Sequence, residues 1–270
     1  MQTLSALISP AQKQQFQDDG YCVVSGLYSE TEIADIEAFF EDFKHNGMKI
    51  YDGGVYEEAD PATSLMRAMF PHRYSKKAQD WFLNPNVAGV LEELLGKPAL
   101  GAQTMYYFKP PGARGQGMHQ DNFYLVAQPA TCIAAWTAID AAGLDNGCLW
   151  VVPGSQRGNI LCPEKGGAPW MDYSDTHIGK FPRDIKPVPV LVPRGSTMFF
   201  SGNLIHGSSP NRTKDRSRRT FIGHYIDEAS VQVAECYHPI LNMAGEVVSN
   251  IAAPLSGGGP CGDGFLGAVH

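Results

Sequence analysis

The chain has 270 residues, 43% of them hydrophobic and 18% charged, with a formal net charge of −7; that length suffices for one large domain with its own core, and all-β barrels or sandwiches commonly reach it undivided. Its basic residues are dispersed except between Arg212 and Arg219, so there is no broad basic face for nucleic acid. The amino-terminal stretch has no basic region and no useful apolar run, and nowhere does an uncharged apolar segment approach a membrane span, so a soluble cytoplasmic protein acting on a small molecule is expected.

Ser9-Pro10 sets an N-cap residue beside a proline at the first helical position, opening a short polar helix that ends near Gly20. Tyr21-Cys22-Val23-Val24 then reads as a strand. Ser29-Glu30-Thr31-Glu32 is a capping box, and Ile33, Ile36, Phe39, Phe40 and Phe43 follow at helical spacing until Gly47. Another helical pattern runs from Val87 to Leu95 and stops at Gly96. From Ala99 onward the chain turns to short β-branched and aromatic runs between Pro and Gly clusters: Thr104 to Phe108, Cys132 to Ile139, Leu149 to Val152, Val188 to Val192, Thr197 to Phe200 and Thr220 to Ile226.

Helices first and strands afterward predict a mainly β protein with flanking helices, a helical part over about 1–98 packed on a β core over about 99–256. Residues 153–187 are Gly/Pro-rich and weakly periodic, as expected of an excursion over the mouth of a barrel. The six cysteines (Cys22, Cys132, Cys148, Cys162, Cys236 and Cys261) show no Cys-x-x-Cys spacing and read as reduced thiols.

The chemistry-bearing pattern is Met118-His119-Gln120-Asp121, with Asn203-Leu204-Ile205-His206-Gly207-Ser208 far downstream. Two imidazoles and a carboxylate in the order His-x-Asp…His are the ligand set that holds non-haem Fe(II) on one face. Residues i and i+2 of a strand share a side, so His119 and Asp121 can reach one metal while Gln120 faces elsewhere. The run Ser196 to Phe200 is the expected strand that delivers His206. The short motif is common by chance, so its context has to carry the weight.

That context is Asp19 to Val24, Met105 to Pro111, His119 to Asn122, Ala135 to Ala138, Asn146 to Leu149, Val152 to Ser155 and His206 to Asn211. In this order the segments resemble the phytanoyl-CoA dioxygenase family of Fe(II)/2-oxoglutarate oxygenases, over nearly the whole chain. The resemblance implies a single oxygenase domain with a double-stranded β-helix (jelly roll) core, requiring Fe(II), 2-oxoglutarate and O2. It places His119, Asp121 and His206 as metal ligands, and Met105, Gln120, Trp136, Ser208 and an arginine beyond His206 along the co-substrate. The family's spacing for that arginine falls on Ser217 here. Alignment on the following strand instead selects Arg218, with Arg219 facing outward, and a one-residue slip would exchange the two. A weaker match puts Arg67 beside co-substrate or substrate.

The resemblance also implies hydroxylation rather than halogenation, since Asp121 keeps the carboxylate, and the scheme needs no side-chain general base. Tyr107, Lys109, Asn122 and Tyr124 are candidates for the substrate wall from their strand parity or their nearness to the ligand pair. The Met105 to Leu125 stretch resembles bacterial members acting on small polar metabolites, among them amino- and trimethylammonium-alkylphosphonates. The aromatic and acidic run Tyr51 to Glu58 has the ingredients of an alkylammonium site. A hydroxylase or desaturase of a secondary metabolite or acyl thioester, and a non-catalytic jelly-roll binding protein, stand as alternatives. The histidine His224 shares the face of Arg218 and is expected to be a hydrogen-bonded core residue.

Overall fold

Ser9 caps the first helix reciprocally: its hydroxyl accepts from the Gln12 N–H, and the Gln12 side chain accepts from the Ser9 N–H at 2.8 Å. Helix α1 (Pro10–Asp19) ends on Gly20 in the left-handed region, φ +86°. Strand β1 (Tyr21–Val24) leads to α2 (Glu30–His45), which Ser29 and Glu32 cap in the same way. Short strands β2 (Lys49–Ile50), β3 (Gly54–Val55) and β4 (Arg67–Met69) follow, then α3 (Lys76–Phe82) and α4 (Pro85–Leu95). This computed structural model describes residues 7–45, 49–50, 54–55, 60, 62, 66–165, 176–181, 185–255 and 261. The proposed alkylammonium stretch from Tyr51 to Glu58 lies almost wholly outside them.

The remaining elements are β5 (Ala99–Tyr107), β6 (Gln116–His119), α5 (Asp121–Leu125), β7 (Ile133–Ala138), β8 (Leu149–Val151), β9 (Glu164–Lys165), β10 (Thr176–His177), β11 (Val188–Val190), β12 (Thr197–Ser201), β13 (His206–Ser208), β14 (Thr220–Asp227), β15 (Ile240–Asn242) and β16 (Val247–Val248). They build an antiparallel sheet ordered β1-β12-β7-β14-β5-β15-β16, with β4 also on β5, and a second sheet ordered β11-β8-β13-β6. The two are the faces of a double-stranded β-helix.

Period-two alternation divides the large sheet cleanly. Tyr106, Ala135, Phe199 and Phe221 pack under the helices against Ile33, Ile36, Phe40 and Leu91, with the Phe40 and Tyr106 rings stacked at 3.9 Å. Their neighbours Met105, Trp136, Met198 and Ile222 point the other way and meet Leu149, Val151 and Val190 of the small sheet. Arg219, on the helical side, binds both oxygens of Asp140 at 2.7 Å, Glu41 at 3.0 Å and Glu37 at 2.8 Å, tying α2 to the sheet.

Four expectations change. The part before Ala99 holds, beside the expected strand β1, which pairs with β12 at the sheet edge, a further strand β4 that pairs with β5. His119 and Asp121 do not share a regular strand: β6 stops at His119 and α5 begins at Asp121. The Ser196 to Phe200 run, which forms most of β12, does not deliver His206, which opens β13 in the other sheet. Cys162 and Cys261 form a disulfide across a separation of 99 residues, a proximity that tertiary folding creates and local spacing does not reveal; Cys22, Cys132, Cys148 and Cys236 are free thiols.

Part of the 153–187 excursion is anchored rather than detached. The Ile178 N–H donates to Met118 O at 2.8 Å, and Ile178 packs with Met118, Val152 and Ile205. Among the described residues no helix is long and apolar enough to cross a membrane.

Buried His72 contacts Thr104 Oγ1 through Nδ1 at 2.6 Å, and burial, then the nearby Arg73 charge, push its pKa from 6.5 down to about 3. The unfolded chain therefore binds a proton between those values that the folded chain refuses, so stability falls as pH drops. The urea midpoint is expected to decline on acidification from about pH 7 to about pH 4.5, and to decline less steeply in His72→Phe.

Candidate active site

The site begins with the pairing of β13 against β6, where His206 stands opposite His119. Gln120 is extended (φ −127°, ψ 125°), so strand alternation continues one residue past β6 and returns Asp121 to the side of His119. His119 Nε2 and His206 Nε2 each lie 3.5 Å from Asp121 Oδ1. The three residues are buried and their ligand atoms fall within 4.8 Å of one another.

Both imidazoles are oriented from behind. His119 Nδ1 faces Gly117 O at 2.7 Å and His206 Nδ1 faces Leu204 O at 3.0 Å. A carbonyl only accepts, so Nδ1 carries the proton and Nε2 presents its lone pair to the common point. Burial, against the opposing pull of Asp121, holds the His206 pKa down at about 4, which keeps that ring neutral. From the large sheet, His224 Nε2 reaches Asp121 Oδ2 at 3.1 Å, fixing the carboxylate with Oδ1 toward the histidines.

Asp121, His206 and His224 line a narrow cleft together with Met105, Tyr107, Trp136, Ser208 and Arg218. A larger hollow bordered by Trp150, Gly179, Phe181, Ile185 and Pro187 brings together no metal-ligand cluster among the described residues. Arg218 is buried at the cleft end, its Nε donating to Gly147 O at 2.9 Å, with the guanidinium 5.3 Å from the Trp136 ring. No ion pair among the described residues engages it, and burial lowers its pKa to about 10. Inward Arg218 and outward Arg219 follow the alternation that leads into β14.

Other candidates divide. Met105, Trp136, Ser208 and Tyr107 are on the wall. Arg67 Nη1 donates to the Tyr107 hydroxyl at 2.9 Å, and the Tyr124 ring lies 6.2 Å from that of His119, its phenol raised to about 12 chiefly by burial. Gln120 is off the cleft: its amide donates to Asn203 O at 2.7 Å and its oxygen accepts from the Leu161 N–H at 2.8 Å, anchoring the excursion. Asn122 is also structural, its side-chain oxygen accepting from the Ala127 N–H at 3.1 Å. Lys109 donates to Ser208 Oγ at 3.0 Å and lines a small hollow with Tyr107, Gln116, Ser208 and Arg218, next to the cleft.

Gln116 joins the wall although alternation from His119 would turn it away. Three steps on β6 oppose two on β13, since Ser208 pairs with Gln116, and that bulge turns Gln116 inward with its amide nitrogen 3.4 Å from His119 Nε2. The signal for Gln116 was absent from the sequence, whereas His224 was visible as sharing the Arg218 face but not as touching Asp121.

The family model described as phytanoyl-CoA dioxygenase matches residues 16–220. The chain belongs to the phytanoyl-CoA dioxygenase family. The peroxisomal phytanoyl-CoA dioxygenase of Rattus norvegicus is 27% identical over 237 residues, covering 81% of this chain and 68% of that protein. The solved alpha-ketoglutarate-dependent epimerase SnoN from nogalamycin biosynthesis shares the fold with TM-score 0.69 at 19% identity, covering 94% of this chain and 96% of its own. EctD from S. alaskensis, solved with 2-oxoglutarate and 5-hydroxyectoine, shares it with TM-score 0.64 at 19% identity, over 94% of this chain and 83% of its own.

Membership makes the protein an Fe(II)- and 2-oxoglutarate-dependent oxygenase using O2. The residues fit these groups: two imidazole lone pairs and a carboxylate suit Fe(II), and a buried guanidinium without an acid suits a carboxylate. His224→Leu is expected to weaken Fe(II) affinity about 10–100-fold in an anaerobic metal titration, with the far-ultraviolet spectrum unchanged, because Asp121 loses its positioning partner.

Proposed function

We propose that the chain acts as a single oxygenase domain that hydroxylates a C–H bond of a small polar metabolite and releases succinate and CO2. His119, Asp121 and His206 hold the iron; Arg218, Ser208, Trp136 and Met105 hold 2-oxoglutarate. The observation that carries this reading is the convergence of two Nε2 atoms and Asp121 Oδ1 beside a cleft that is also lined by a buried arginine with no acidic partner among the described residues.

Iron with its co-substrate supplies the O2-derived oxidising power for C–H cleavage. The protein's work is positional. The backbone carbonyls of Gly117 and Leu204 and the ring of His224 keep the three ligand side chains in place before anything binds. Arg218 recognises the distal carboxylate as a planar fork in a dry environment, with Trp136 alongside it. The narrow cleft excludes water and selects which C–H bond of the substrate lies nearest the ligand set, so regiochemistry follows from placement.

Arg67, Tyr107 and Tyr124 define the substrate chemistry. The buried Arg67–Tyr107 pair, with the guanidinium 5.7 Å from the Tyr107 ring, favours an anionic group, and the Tyr124 ring suits an alkylammonium by cation–π attraction. An amino- or trimethylammonium-alkylphosphonate satisfies both. Succinate formation should therefore be measured across aminoalkylphosphonates, their trimethylammonium forms, matched carboxylates and acyl thioesters. Substrate-dependent succinate with a phosphonate product heavier by one oxygen is expected; turnover of acyl thioesters alone would overturn the substrate class.

A further inference from the structure

Behind the wall that carries Arg218 lies a second buried cation. Lys109 is 5% exposed, and its Nζ donates to Ser208 Oγ at 3.0 Å and to Arg114 O at 2.9 Å. No ion pair among the described residues engages it. Burial, and then the charge of Arg218, drive its pKa well below the ordinary lysine value. Two like charges in a region poor in water are an unfavourable arrangement unless an anion joins them.

The surrounding backbone is built to hold this lysine. Lys109 follows β5 with φ +31°, a left-handed conformation uncommon for a residue with a side chain. Its carbonyl accepts from the Arg218 N–H at 3.0 Å and from Asn211 Nδ2 at 3.1 Å. Gly147 leaves room for the stem, since a Cβ there would lie 2.4 Å from Lys109 Cε. A neutral side chain could bridge Ser208 and Arg114 without burying a charge, so a purely mechanical strut does not account for an ammonium.

Hydrogen-bond direction adds a second argument. When an anion in the cleft holds Lys109 in its charged form, the ammonium has donors only, so Ser208 Oγ accepts from it and the hydroxyl proton of Ser208, which lines the cleft, is left to donate elsewhere. Ser208 and Arg218 both line the cleft, of which Lys109 is not a lining residue.

We infer that Lys109 is a positioning residue for the co-substrate: it sets the Ser208 hydroxyl as a donor into the cleft and adds a second positive charge to Arg218 for the distal carboxylate of a 2-oxo diacid. The inference rests on the proposed co-substrate site. Its consequence is selectivity, because a 2-oxo monoacid of the same chain length has no distal anion and gains nothing from Lys109.

Calorimetric titration of the Mn(II)-loaded protein under anaerobic conditions, with 2-oxoglutarate and with 2-oxovalerate, reads this without turnover. Lys109→Met is expected to weaken 2-oxoglutarate about tenfold or more while changing 2-oxovalerate less than about twofold, so the ratio of the two affinities falls. Lys109→Gln, which keeps a hydrogen-bonding group, should show the same fall and serves if the methionine variant does not fold. Equal weakening of both ligands would mark Lys109 as structural, and an unchanged ratio with unchanged affinities would also overturn the inference. Wild-type protein that binds no 2-oxoglutarate would instead defeat the proposed co-substrate site itself.

Discussion

The pairing of β13 with β6, His206 opposite His119, is the constraint on which the site depends. Side chains alternate with period two, so a slip of one residue in either strand would turn an imidazole out of the cleft. The bulge beyond that pair brings Gln116 to the same wall, and Gly207 permits the close approach, since a Cβ there would come within 2.7 Å of Gln116 O. Asp121 then arrives by one extended residue, and His224 reaches it from the large sheet. The candidate metal centre is thus a place where both sheets meet, and its geometry is inherited from sheet registers rather than from loops.

Charge is distributed in the same directional way. Asp121 sits among the rings of His119, His206 and His224, while Arg218 and Lys109 form no ion pair with a carboxylate among the described residues. The contrast with Arg219 is informative, because the adjacent residue, turned to the opposite face, is saturated by Asp140, Glu37 and Glu41. One arginine is structural and helps dock α2; its neighbour retains unspent hydrogen-bonding capacity for an anion. Burial makes that retained capacity selective, since a desolvated guanidinium discriminates strongly between a ligand with a carboxylate and one without.

Much of this was legible before any coordinates. The Ser9-Pro10 start, the Ser29–Glu32 capping box and the stop signals Gly20 and Gly96 marked three helices, and β-branched and aromatic runs marked β5, β7, β8, β11, β12 and β14, because these signals are local. Helix α3 was missed: it is seven residues long and too short for a clear periodic stripe. Strands β4 and β6 were missed as elements because neither contains a β-branched residue. The Cys162–Cys261 bond, the contact of His224 with Asp121 and the inward turn of Gln116 arise from tertiary register, which short-range pattern does not encode. Gln120 is instructive, since alternation turned it away from His119 while family resemblance put it along the co-substrate, and its side chain lies with the excursion.

The central claim is that one side of the cleft binds iron while the buried arginine receives its chelating co-substrate. Anaerobic titration of the protein with Fe(II) and 2-oxoglutarate, followed by the visible metal-to-ligand charge-transfer band, tests both parts together. The account predicts a band in the wild type, no band in Asp121→Ala, and a band in Arg218→Met that needs about tenfold or more 2-oxoglutarate. A folded, iron-loaded wild type that gives no band, or a band that survives in Asp121→Ala, would contradict it.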